Sequence, residues 1–374
     1  MSRTENRRLF FAGGGTGGHL YPAMAVAALI QKQKPETEIT FFCSRREIDA
    51  KILGPSGFDF LPLPAEGFSI SPTQCIRFLA QFVKSYYFAK QILSSQRGQT
   101  VVIGAGGFVS APVILAARSL GIPVCLLNVD SVPGKANRLL GRLAKIIFVQ
   151  FEQTKSYFAK APGKVIVSGC PLREEFQTAK PDAVAAMYGL DREKKILLIT
   201  GASSGSLSIN RAILEILPNL ERFSDQWQIV HLTGTAHFET VRRSAGKSAI
   251  RYVPVEYCHE MPALMKAADL VVGRAGAVSV AEYAAAGAPA ICLPYPYHKD
   301  RHQFLNAQSM VEAGTAVIVE DQVKNPQKTA AALLQVLSEI MENTERLSSM
   351  KKAAVAQSHP NAASVVANAL MNLQ

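Results

Sequence analysis

The chain has 374 residues, of which 48% are hydrophobic, with 26 Gly and 20 Pro spread along its length and a formal net charge of +11. This composition excludes an intrinsically disordered protein, and the length exceeds that at which one hydrophobic core stops growing, so we expect two domains with a cleft between them. The positive charge favours phosphate-bearing ligands or an anionic membrane surface as partners. Nucleic acid is not an expected partner, because no binding motif, basic run or aromatic-basic platform accompanies the charge.

The six cysteines are scattered, without a CxxC pair or a His cluster at zinc-ligand spacing, so we interpret them as reduced thiols of a cytosolic protein. The N-terminal segment MSRTENRRLFF lacks the apolar region of a signal peptide, and charged residues interrupt the longest apolar stretches. We therefore expect neither a signal peptide nor a transmembrane helix.

Short apolar runs bounded by Gly or Pro alternate with segments of helical periodicity, which is the pattern of parallel βαβ units. The runs predict strands of a first sheet at residues 9–12, 38–43, 100–103, 124–127, 146–149 and 164–167. A second sheet is predicted from residues 196–200, 228–233, 250–255, 270–272, 290–293 and 316–319. The sequence thus predicts two Rossmann-like halves that join near residues 169–173, with a helical tail after about residue 350.

Each half begins with a glycine-rich turn between a strand and a helix. In the first half, Gly13, Gly15 and Gly18 match GxGxxG, a motif that places N–H groups and a helix dipole beside a diphosphate. The basic sequence at residues 44–46 leaves an NADP-dependent oxidoreductase open as an alternative. Against this alternative, GASSGS opens the second half in the same way, which a simple dehydrogenase does not require.

His19 follows the first glycine-rich turn, and the pair His19-Leu20 excludes a Walker A loop, which needs Lys-Ser/Thr there. A neutral imidazole can take a hydroxyl proton near pH 7, so His19 is a candidate general base; a histidine that only bonds the backbone is the alternative. Gly104, Gly106 and Gly107 form another turn at a strand end. Because open α/β sheets bind ligands at the carboxyl ends of their strands, these turns together indicate a bound ligand; tight turns without a ligand are the alternative.

The motif GRAGA at residues 273–277 leaves a strand and enters a helix that contains Glu282. The positive end of a helix dipole can stabilise a diphosphate leaving group, and a carboxylate can bind a ribose diol; an ordinary exposed glutamate is the alternative for Glu282. The polar loop at residues 297–303 is typical of a functional loop. No DxD sequence occurs, so we expect no metal ion or cofactor, and Arg173, Ser203 and the helix starts would neutralise the leaving group.

Residues 75–90 form the amphipathic segment CIRFLAQFVKSYYFAK. A membrane-surface helix pairs apolar area with basic anchors, whereas a helix packed in the protein core is an equally consistent interpretation. Val83 and Tyr86 extend the apolar stripe of this segment. The predicted membrane face comprises Ile76, Phe78, Leu79, Phe82 and Lys84.

Six blocks resemble the MurG family in order and spacing: AGGGTGGHLYPAMAVA, GAGGFVSAPVILAARSLGIPV, VPGKANRLL, GCPLR, GRAGAVSVAEYAAAGAPAICLPYP and HKDRHQFLNA. Six ordered blocks are far more specific than one glycine motif. The resemblance implies an α/β GT-B glycosyltransferase with two Rossmann-like parallel-sheet domains facing a deep cleft. The implied activity is inverting transfer of N-acetylglucosamine from UDP to the 4-hydroxyl of the N-acetylmuramyl group of lipid I, which gives lipid II in peptidoglycan synthesis.

The resemblance also implies a division of the chain. Residues 1–169 would bind the acceptor and associate with the membrane, with a C-terminal helix at residues 351–374 packing back on them, and residues 170–350 would bind the donor. The implied location is the cytoplasmic face of the plasma (inner) membrane, as a peripheral protein. The implied partners are UDP-N-acetylglucosamine, undecaprenyl-linked lipid I, the anionic membrane surface and other cell-wall or division proteins.

The positions of the matching motifs imply roles for individual residues. His19 would be the catalytic base. The residues implied to bind the acceptor are Thr16, Gly17, Gly18, Gly106, Gly107, Asp130 and Asn137. The residues implied to bind the donor are Arg173, Ser203, Cys258 through its main chain, Gly276, Ala277, Glu282, His302 and Gln303.

The chain departs from the family pattern at positions expected on the sugar side. The sequence LNVD at residues 127–130 stands where the family usually has His-Glu-Gln-Asn, so a charged network becomes half apolar. Single departures put Cys170 in place of Asn, Ala202 of Gly, Ser204 of Gln, Ala275 of Ser and His302 of Gln. Two alternatives therefore stay open: a transferase of the same fold with another nucleotide sugar or lipid acceptor, and a catalytically silent membrane-bound scaffold.

Overall fold

The computed structural model describes residues 7–67, 72–95, 99–202, 205–297 and 300–373. The chain divides into two compact units, one formed by Met1–Arg173 with Asn361–Gln374 and the other by Glu174–Pro360. Each unit contains one parallel sheet. The prediction of two Rossmann-like parallel-sheet domains is therefore confirmed.

The strands are β1 (Arg8–Gly13), β2 (Glu38–Ser44), β3 (Asp59–Leu63), β4 (Thr100–Gly106), β5 (Val124–Asn128), β6 (Ile146–Val149), β7 (Lys164–Val167), β8 (Lys195–Thr200), β9 (Trp227–Leu232), β10 (Tyr252–Val255), β11 (Leu270–Gly273), β12 (Ala290–Cys292) and β13 (Ala316–Ile318). The helices are α1 (Gly17–Gln33), α2 (Glu47–Leu53), α3 (Pro72–Ser94), α4 (Ser110–Ser119), α5 (Lys135–Leu140), α6 (Glu175–Thr178), α7 (Asp182–Tyr188), α8 (Leu207–Leu220), α9 (Phe238–Ala245), α10 (Met261–Ala267), α11 (Ala277–Ala286), α12 (His302–Glu312), α13 (Pro326–Glu342), α14 (Thr344–Ala356) and α15 (Ala362–Met371). No helix in the described part of the chain is both long and apolar enough to cross a membrane.

The sheet of the first unit has the strand order β3-β2-β1-β4-β5-β6-β7. Every residue of β4 is buried, as expected for a central parallel strand with helices on both faces. Because β1 lies between β2 and β4, the chain runs outward in opposite directions from this point, and ligands bind at such a point in open α/β sheets. The fold thus predicts a site at the carboxyl end of β1.

The C-terminal helix α15 belongs to the first unit, where it packs on α1. The Arg7 guanidinium donates to the carbonyl oxygens of Leu370 and Met371, each at 2.6 Å, and also to that of Leu373. These carbonyls lie at the end of α15, where backbone oxygens have no partner within the helix and a cation is favourable. Arg7 therefore anchors the end of the chain beside β1.

The sheet of the second unit has the order β10-β9-β8-β11-β12-β13, and β8 occupies the place that β1 has in the first unit. Its core includes Leu197, Ile213 and Trp227, all fully buried or nearly so. Helix α13 packs against α8 on one side of this sheet. The carboxyl end of β8 is therefore the corresponding expected site in this unit.

The structure adds one strand that the sequence analysis did not predict, β3, which lies at the edge of the first sheet. Its sequence DFLPL contains Pro62, and an edge strand tolerates proline because one side of its backbone makes no ladder bonds. The tail after residue 350 is also more divided than expected. Residues up to Ala356 continue α14 within the second unit, and residues 361–374 return to the first.

Candidate functional site

The glycine-rich turn after β1 is shaped by close contacts that exclude side chains. Gly15 has a φ of +85°, which favours glycine, and a Cβ atom on Gly14 would lie 2.3 Å from an oxygen of Asp49. Helix α1 begins directly afterwards at Gly17. The turn thus brings backbone N–H groups and the start of a long helix to the carboxyl end of the sheet.

Asp49 holds this turn from beneath and was missed by the sequence analysis. Its carboxylate is fully buried and accepts the N–H of Gly15 at 2.9 Å. It also accepts the N–H of Ser44 at 2.8 Å and the hydroxyl of Ser44 at 2.6 Å. The N–H of Gly15 is therefore bonded within the protein, and a ligand at this turn must use other donors.

His19 lies over the turn that follows β4. Its Nδ1 atom is 3.2 Å from the carbonyl oxygen of Gly14 and 3.2 Å from Oγ1 of Thr16. Because a carbonyl oxygen only accepts, we assign the ring proton to Nδ1, which makes Nε2 the atom able to take a proton. A Cβ on Gly106 would lie 2.6 Å from the imidazole, so glycine at that position makes room for the ring.

The structure brings the predicted acceptor residues around this histidine to one edge of the sheet. Gly13 of β1 pairs with Gly106 after an irregular step in the β1–β4 register. The buried Ser110 hydroxyl donates to the carbonyl of Ala12 at 2.6 Å and accepts the N–H of Gly106 at 3.0 Å. These bonds join β1 and β4 where both strands end. The residues gathered here are Thr16, Gly17, Gly18, His19, Gly106 and Gly107.

Asp130 and Asn137 meet through Asn128, a buried residue at the end of β5. The side-chain amide of Asn137 donates to Oδ1 of Asn128 at 3.0 Å, and the amide of Asn128 donates to the carbonyl of Asp130 at 2.7 Å. Strand β5 is the neighbour of β4, so these residues share the sheet edge with His19. Asn128 lies inside the stretch that departs from the family pattern, and the structure uses it to fix the local backbone.

In the second unit, the turn after β8 is equally tight. A Cβ on Gly205 would lie 2.2 Å from the carbonyl oxygen of Thr233, and Ala202 has a φ of +63°. The side chain of Ser206 caps α8 by accepting the N–H of Ile209 at 3.5 Å. Ser203, which the sequence predicted to bind the donor, lies outside the described residues together with Ser204.

Arg274 joins the strand ends of the second sheet from a buried position. Its guanidinium donates to the carbonyl of Leu293 at 2.8 Å and to the carboxylate of Asp321 at 2.8 Å. It also donates to the hydroxyls of Ser206 at 2.7 Å and Ser208 at 2.9 Å. The guanidinium therefore ties the start of α8 to the ends of β12 and β13. In the sequence, Arg274 is recognisable only as part of the GRAGA motif, and no pattern marks Asp321.

Helix α11 follows this arginine and carries several predicted donor residues. Gly276 precedes the helix, Ala277 begins it and is buried, and Glu282 lies further along it, half-buried. The amide of the buried Asn306 on α12 donates to the carbonyl of Ala275 at 3.2 Å. This bond fixes the start of α11 against α12.

The loop that leads into α12 brings in His302 and Gln303. His302 Nδ1 lies 2.7 Å from a carboxylate oxygen of Asp300. Gln303 Oε1 accepts the N–H of Tyr295 at 2.9 Å. Residues 298 and 299 of this loop lie outside the described residues. Because α12 packs on α11, these side chains belong to the same part of the second unit as Glu282.

Of the two remaining predicted donor residues, Cys258 lies in the second unit and Arg173 in the first. Cys258 is buried just before α10, which packs on α11, and burial raises the pKa of its thiol despite a hydrogen bond with Tyr188. Arg173 ends the Met1–Arg173 segment of the first unit, and its guanidinium carbon lies 5.8 Å from the centroid of the Tyr21 ring. In the described residues, no group of three or more His, Cys, Asp or Glu side chains comes together as a metal site requires.

Helix α3 packs on α4 with one face and exposes an apolar stripe on the other. Ile76 is 73% exposed and Leu79 is 60% exposed. Lys84 is also exposed, whereas Phe78 and Phe82 are half-buried.

The outer stripe of α3 continues through Val83 to Tyr87 rather than to Tyr86, which is half-buried. The core-packed interpretation therefore holds only for the inner face, which comprises Ser85, Ala89 and Leu93.

Comparisons with known proteins agree across the length of the chain. Residues 9–149 match the glycosyltransferase family 28 N-terminal domain, and residues 196–366 match the C-terminal domain of the same family. The chain is 33% identical to a protein of Lactiplantibacillus plantarum over 95% of this chain and 96% of that protein. It is 34% identical to a protein of Chlorobaculum tepidum over 98% and 99% of the two chains. Both relatives are named UDP-N-acetylglucosamine--N-acetylmuramyl-(pentapeptide) pyrophosphoryl-undecaprenol N-acetylglucosamine transferase.

Solved structures give the same result for the fold. The chain superposes on MurG of Acinetobacter baumannii with a TM-score of 0.74 at 25% identity, over 98% of this chain and 100% of that one. It superposes on a UDP-glucose: anthocyanidin 3-O-glucosyltransferase in complex with UDP with a TM-score of 0.69 at 13% identity, over 100% of both chains. The second likeness concerns the fold alone. Together they confirm the predicted GT-B fold.

Proposed function

The chain belongs to the MurG family of N-acetylglucosaminyltransferases, and we propose that it transfers N-acetylglucosamine from UDP-N-acetylglucosamine to lipid I, giving lipid II. The observation that carries this proposal is the likeness to transferases of that name along nearly the whole of both chains. The tight turns after β1 and β8 support it, since each unit retains a site suited to a phosphate-bearing ligand.

The first unit is the proposed acceptor side, and the second is the proposed donor side. On the acceptor side, the start of α1 and the Gly106–Gly107 turn flank His19, which suits the diphosphate of lipid I. On the donor side, the start of α11 carries the positive end of a helix dipole, and Glu282 lies on the same helix. A carboxylate there suits the ribose diol of UDP, and Gln303 and the main chain near Cys258 extend the same surface.

His19 is the proposed general base. In this mechanism the 4-hydroxyl oxygen of the acceptor sugar forms a bond to C1 of N-acetylglucosamine while the bond from C1 to the UDP oxygen breaks, with inversion at C1. The hydroxyl proton passes to Nε2 of His19, because Nδ1 is held by the carbonyl of Gly14. UDP leaves with its charge stabilised by oriented N–H groups and by Arg173.

The outer stripe of α3 is the proposed membrane-contact surface. Its apolar side chains stand exposed over several turns, and Lys84 adds a cation beside them. This surface fits peripheral attachment to the cytoplasmic face of an anionic membrane, where the undecaprenyl chain of lipid I is embedded. Replacing both Ile76 and Leu79 by Ser should weaken binding to anionic vesicles, whereas Met187→Ser, at a similarly exposed apolar residue of the second unit, should not.

The transferase proposal is tested by incubating the purified protein with radiolabelled UDP-N-acetylglucosamine and lipid I and separating the lipid products. A labelled disaccharide-lipid is the expected product. A panel of other labelled nucleotide sugars runs in parallel, since faster transfer from one of them would instead assign a diverged transferase. Retained UDP affinity with no product from any donor would contradict the transferase proposal and support the scaffold alternative.

A further inference from the structure

Arg46 holds a positive charge against the glycine turn after β1. Its Nη1 atom donates to the carbonyl oxygen of Gly15 at 3.2 Å, and its guanidinium carbon lies 5.1 Å from the centroid of the Phe108 ring. We infer that Arg46 binds the diphosphate of the acceptor and so helps to select diphosphate-linked acceptors. The inference rests on the proposed transferase function, and it names a residue that the motifs of the sequence did not assign to the acceptor.

Arg46 and His19 form hydrogen bonds with consecutive carbonyl groups of the same turn. The carbonyl of Gly14 lies 3.2 Å from His19 Nδ1, and the carbonyl of Gly15 lies 3.2 Å from Arg46 Nη1. Consecutive Cα atoms are about 3.8 Å apart, so the two side chains approach the same short stretch of backbone. A diphosphate bound against this stretch would meet the guanidinium and the proposed base together.

The charges around the turn explain why a further cation is favourable there. The buried carboxylate of Asp49 accepts the N–H of Gly15 at 2.9 Å, so a negative charge lies directly beneath the turn. A diphosphate on the exposed side brings more negative charge, and like charges close together are costly. Arg46 is exposed, bonds the Gly15 carbonyl and supplies the opposite charge.

Phe108 fixes the direction of this guanidinium. An arginine side chain stacks on an aromatic face and keeps its forked N–H groups available for phosphate oxygens. Only the bond to Gly15 and the ring contact engage the Arg46 side chain within the described part of the chain. Phe108 packs on the core of the first unit, and its Cε1 would lie 3.1 Å from a Cβ on Gly15. The guanidinium of Arg46 therefore contacts both the Phe108 ring and the backbone of the turn.

The test measures steady-state kinetics of the full-length protein with saturating donor and variable acceptor. Arg46→Gln should raise the acceptor KM roughly tenfold to a hundredfold, because a charge-assisted contact is lost equally from the ground and transition states. Its kcat and donor KM should match those of the wild type. Arg45→Gln is the matched control, since Arg45 is the adjacent exposed arginine and makes no hydrogen bond to the turn among the described residues.

A second acceptor separates charge recognition from packing. With an acceptor linked through a single phosphate, the KM difference between wild type and Arg46→Gln should become much smaller. Arg46→Lys, which keeps the charge but not the planar fork, should fall between wild type and Arg46→Gln on the diphosphate acceptor. An equal KM penalty on both acceptors would show that Arg46 acts only by packing on Phe108, and would overturn the inference.

Anionic lipid headgroups share the phosphate chemistry, so a third measurement distinguishes the two sources. Binding to phosphatidylglycerol vesicles without acceptor should be the same for Arg46→Gln and Arg45→Gln. A selective loss of vesicle binding in Arg46→Gln would assign Arg46 to the membrane and refute its role at the acceptor. Absence of product with wild-type protein would refute the proposed function itself, whereas product with equal acceptor KM for both glutamine variants would refute the inference about Arg46 alone.

Discussion

The two glycine turns, after β1 and after β8, occupy equivalent places in their sheets but are held by opposite charges. At the first turn, the buried carboxylate of Asp49 accepts the backbone N–H groups of Gly15 and Ser44. At the second turn, the buried guanidinium of Arg274 donates hydrogen bonds to a carbonyl, two hydroxyls and the carboxylate of Asp321. Each turn therefore depends on a charged side chain supplied from elsewhere in its unit, and equivalent places in the two sheets are supported by different buried chemistry.

Removing Arg274 should have the largest effect on stability. Arg274→Met leaves the carboxylate of Asp321 buried without its cation, which costs about 3–5 kcal/mol of the free energy of unfolding. The single tryptophan, Trp227, is buried in the second unit, so urea denaturation followed by its fluorescence reports on that unit. The double variant Arg274→Met with Asp321→Leu should recover part of the loss. Arg222→Met, which removes an exposed arginine paired with Glu342, should change little.

Replacing Asp49 should weaken the first turn and leave the second unaffected. Asp49→Asn loses charge-assisted bonds to Gly15 and Ser44, with an expected cost of about 1.5–3 kcal/mol. Amide hydrogen exchange should accelerate at Gly15 and Ser44, while the Trp227 transition and the affinity for UDP stay unchanged. The control is Glu47→Gln, at an exposed acidic residue of the same helix that pairs with Lys51. Equal protection of the Gly15 amide in both variants would contradict the role assigned to Asp49.

Acid should destabilise the second unit through His231, a fully buried histidine that has no counterpart among the described residues of the first unit. Burial lowers the pKa of His231 to about 3 from the ordinary value of 6.5. Its Nε2 atom donates to the side-chain oxygen of Asn210 at 3.0 Å, and its Nδ1 atom accepts from the hydroxyl of Tyr252 at 2.6 Å. The ring is therefore held neutral in the folded state, whereas it takes up a proton readily in the unfolded chain.

The sign of the pH effect follows from that difference in pKa. Stability from the neutral ring is fully present above pH 6.5 and falls as the pH drops from 6.5 toward 3, by about 2 kcal/mol at pH 5. Urea midpoints from Trp227 fluorescence at pH 7.5 and pH 5 measure the loss. His231→Gln, which keeps a donor and an acceptor, should show a smaller difference between the two pH values. A difference as large as that of the wild type would assign the acid sensitivity to other groups.

The contrast between the turns also marks what the sequence could predict. The strands other than β3 and both glycine turns were predictable, because apolar runs bounded by glycine reflect local geometry that each segment specifies by itself. Asp49 and Asp321 were not, since their partners Gly15 and Arg274 lie 34 and 47 residues away along the chain. No local periodicity identifies such a pair.

The prediction of which α3 residues face outward depended on contacts that the local sequence does not specify. The apolar stripe of α3 was found from its periodicity, but Tyr86 was assigned to the outer face that Tyr87 occupies. A single residue corresponds to about 100° around a helix, so one position changes which aromatic ring faces outward. The stripe itself was predictable, and its boundary depended on how α3 packs against α4.

Ala202 offers the smallest and most direct test of how the second turn differs from the first. Ala202 has a φ of +63°, a left-handed conformation that is unfavourable with a Cβ, and it stands where the family usually has glycine. Ala202→Gly should therefore raise the stability of the second unit by about 0.5–1 kcal/mol after the entropic cost of glycine, measured as a higher urea midpoint of Trp227 fluorescence. The reciprocal change, Gly15→Ala, should destabilise the first turn, because its φ is +85° and Phe108 would lie 3.1 Å from the new Cβ. A destabilised Ala202→Gly protein would show that the alanine side chain makes compensating contacts, and that the two turns differ in packing as well as in their buried charges.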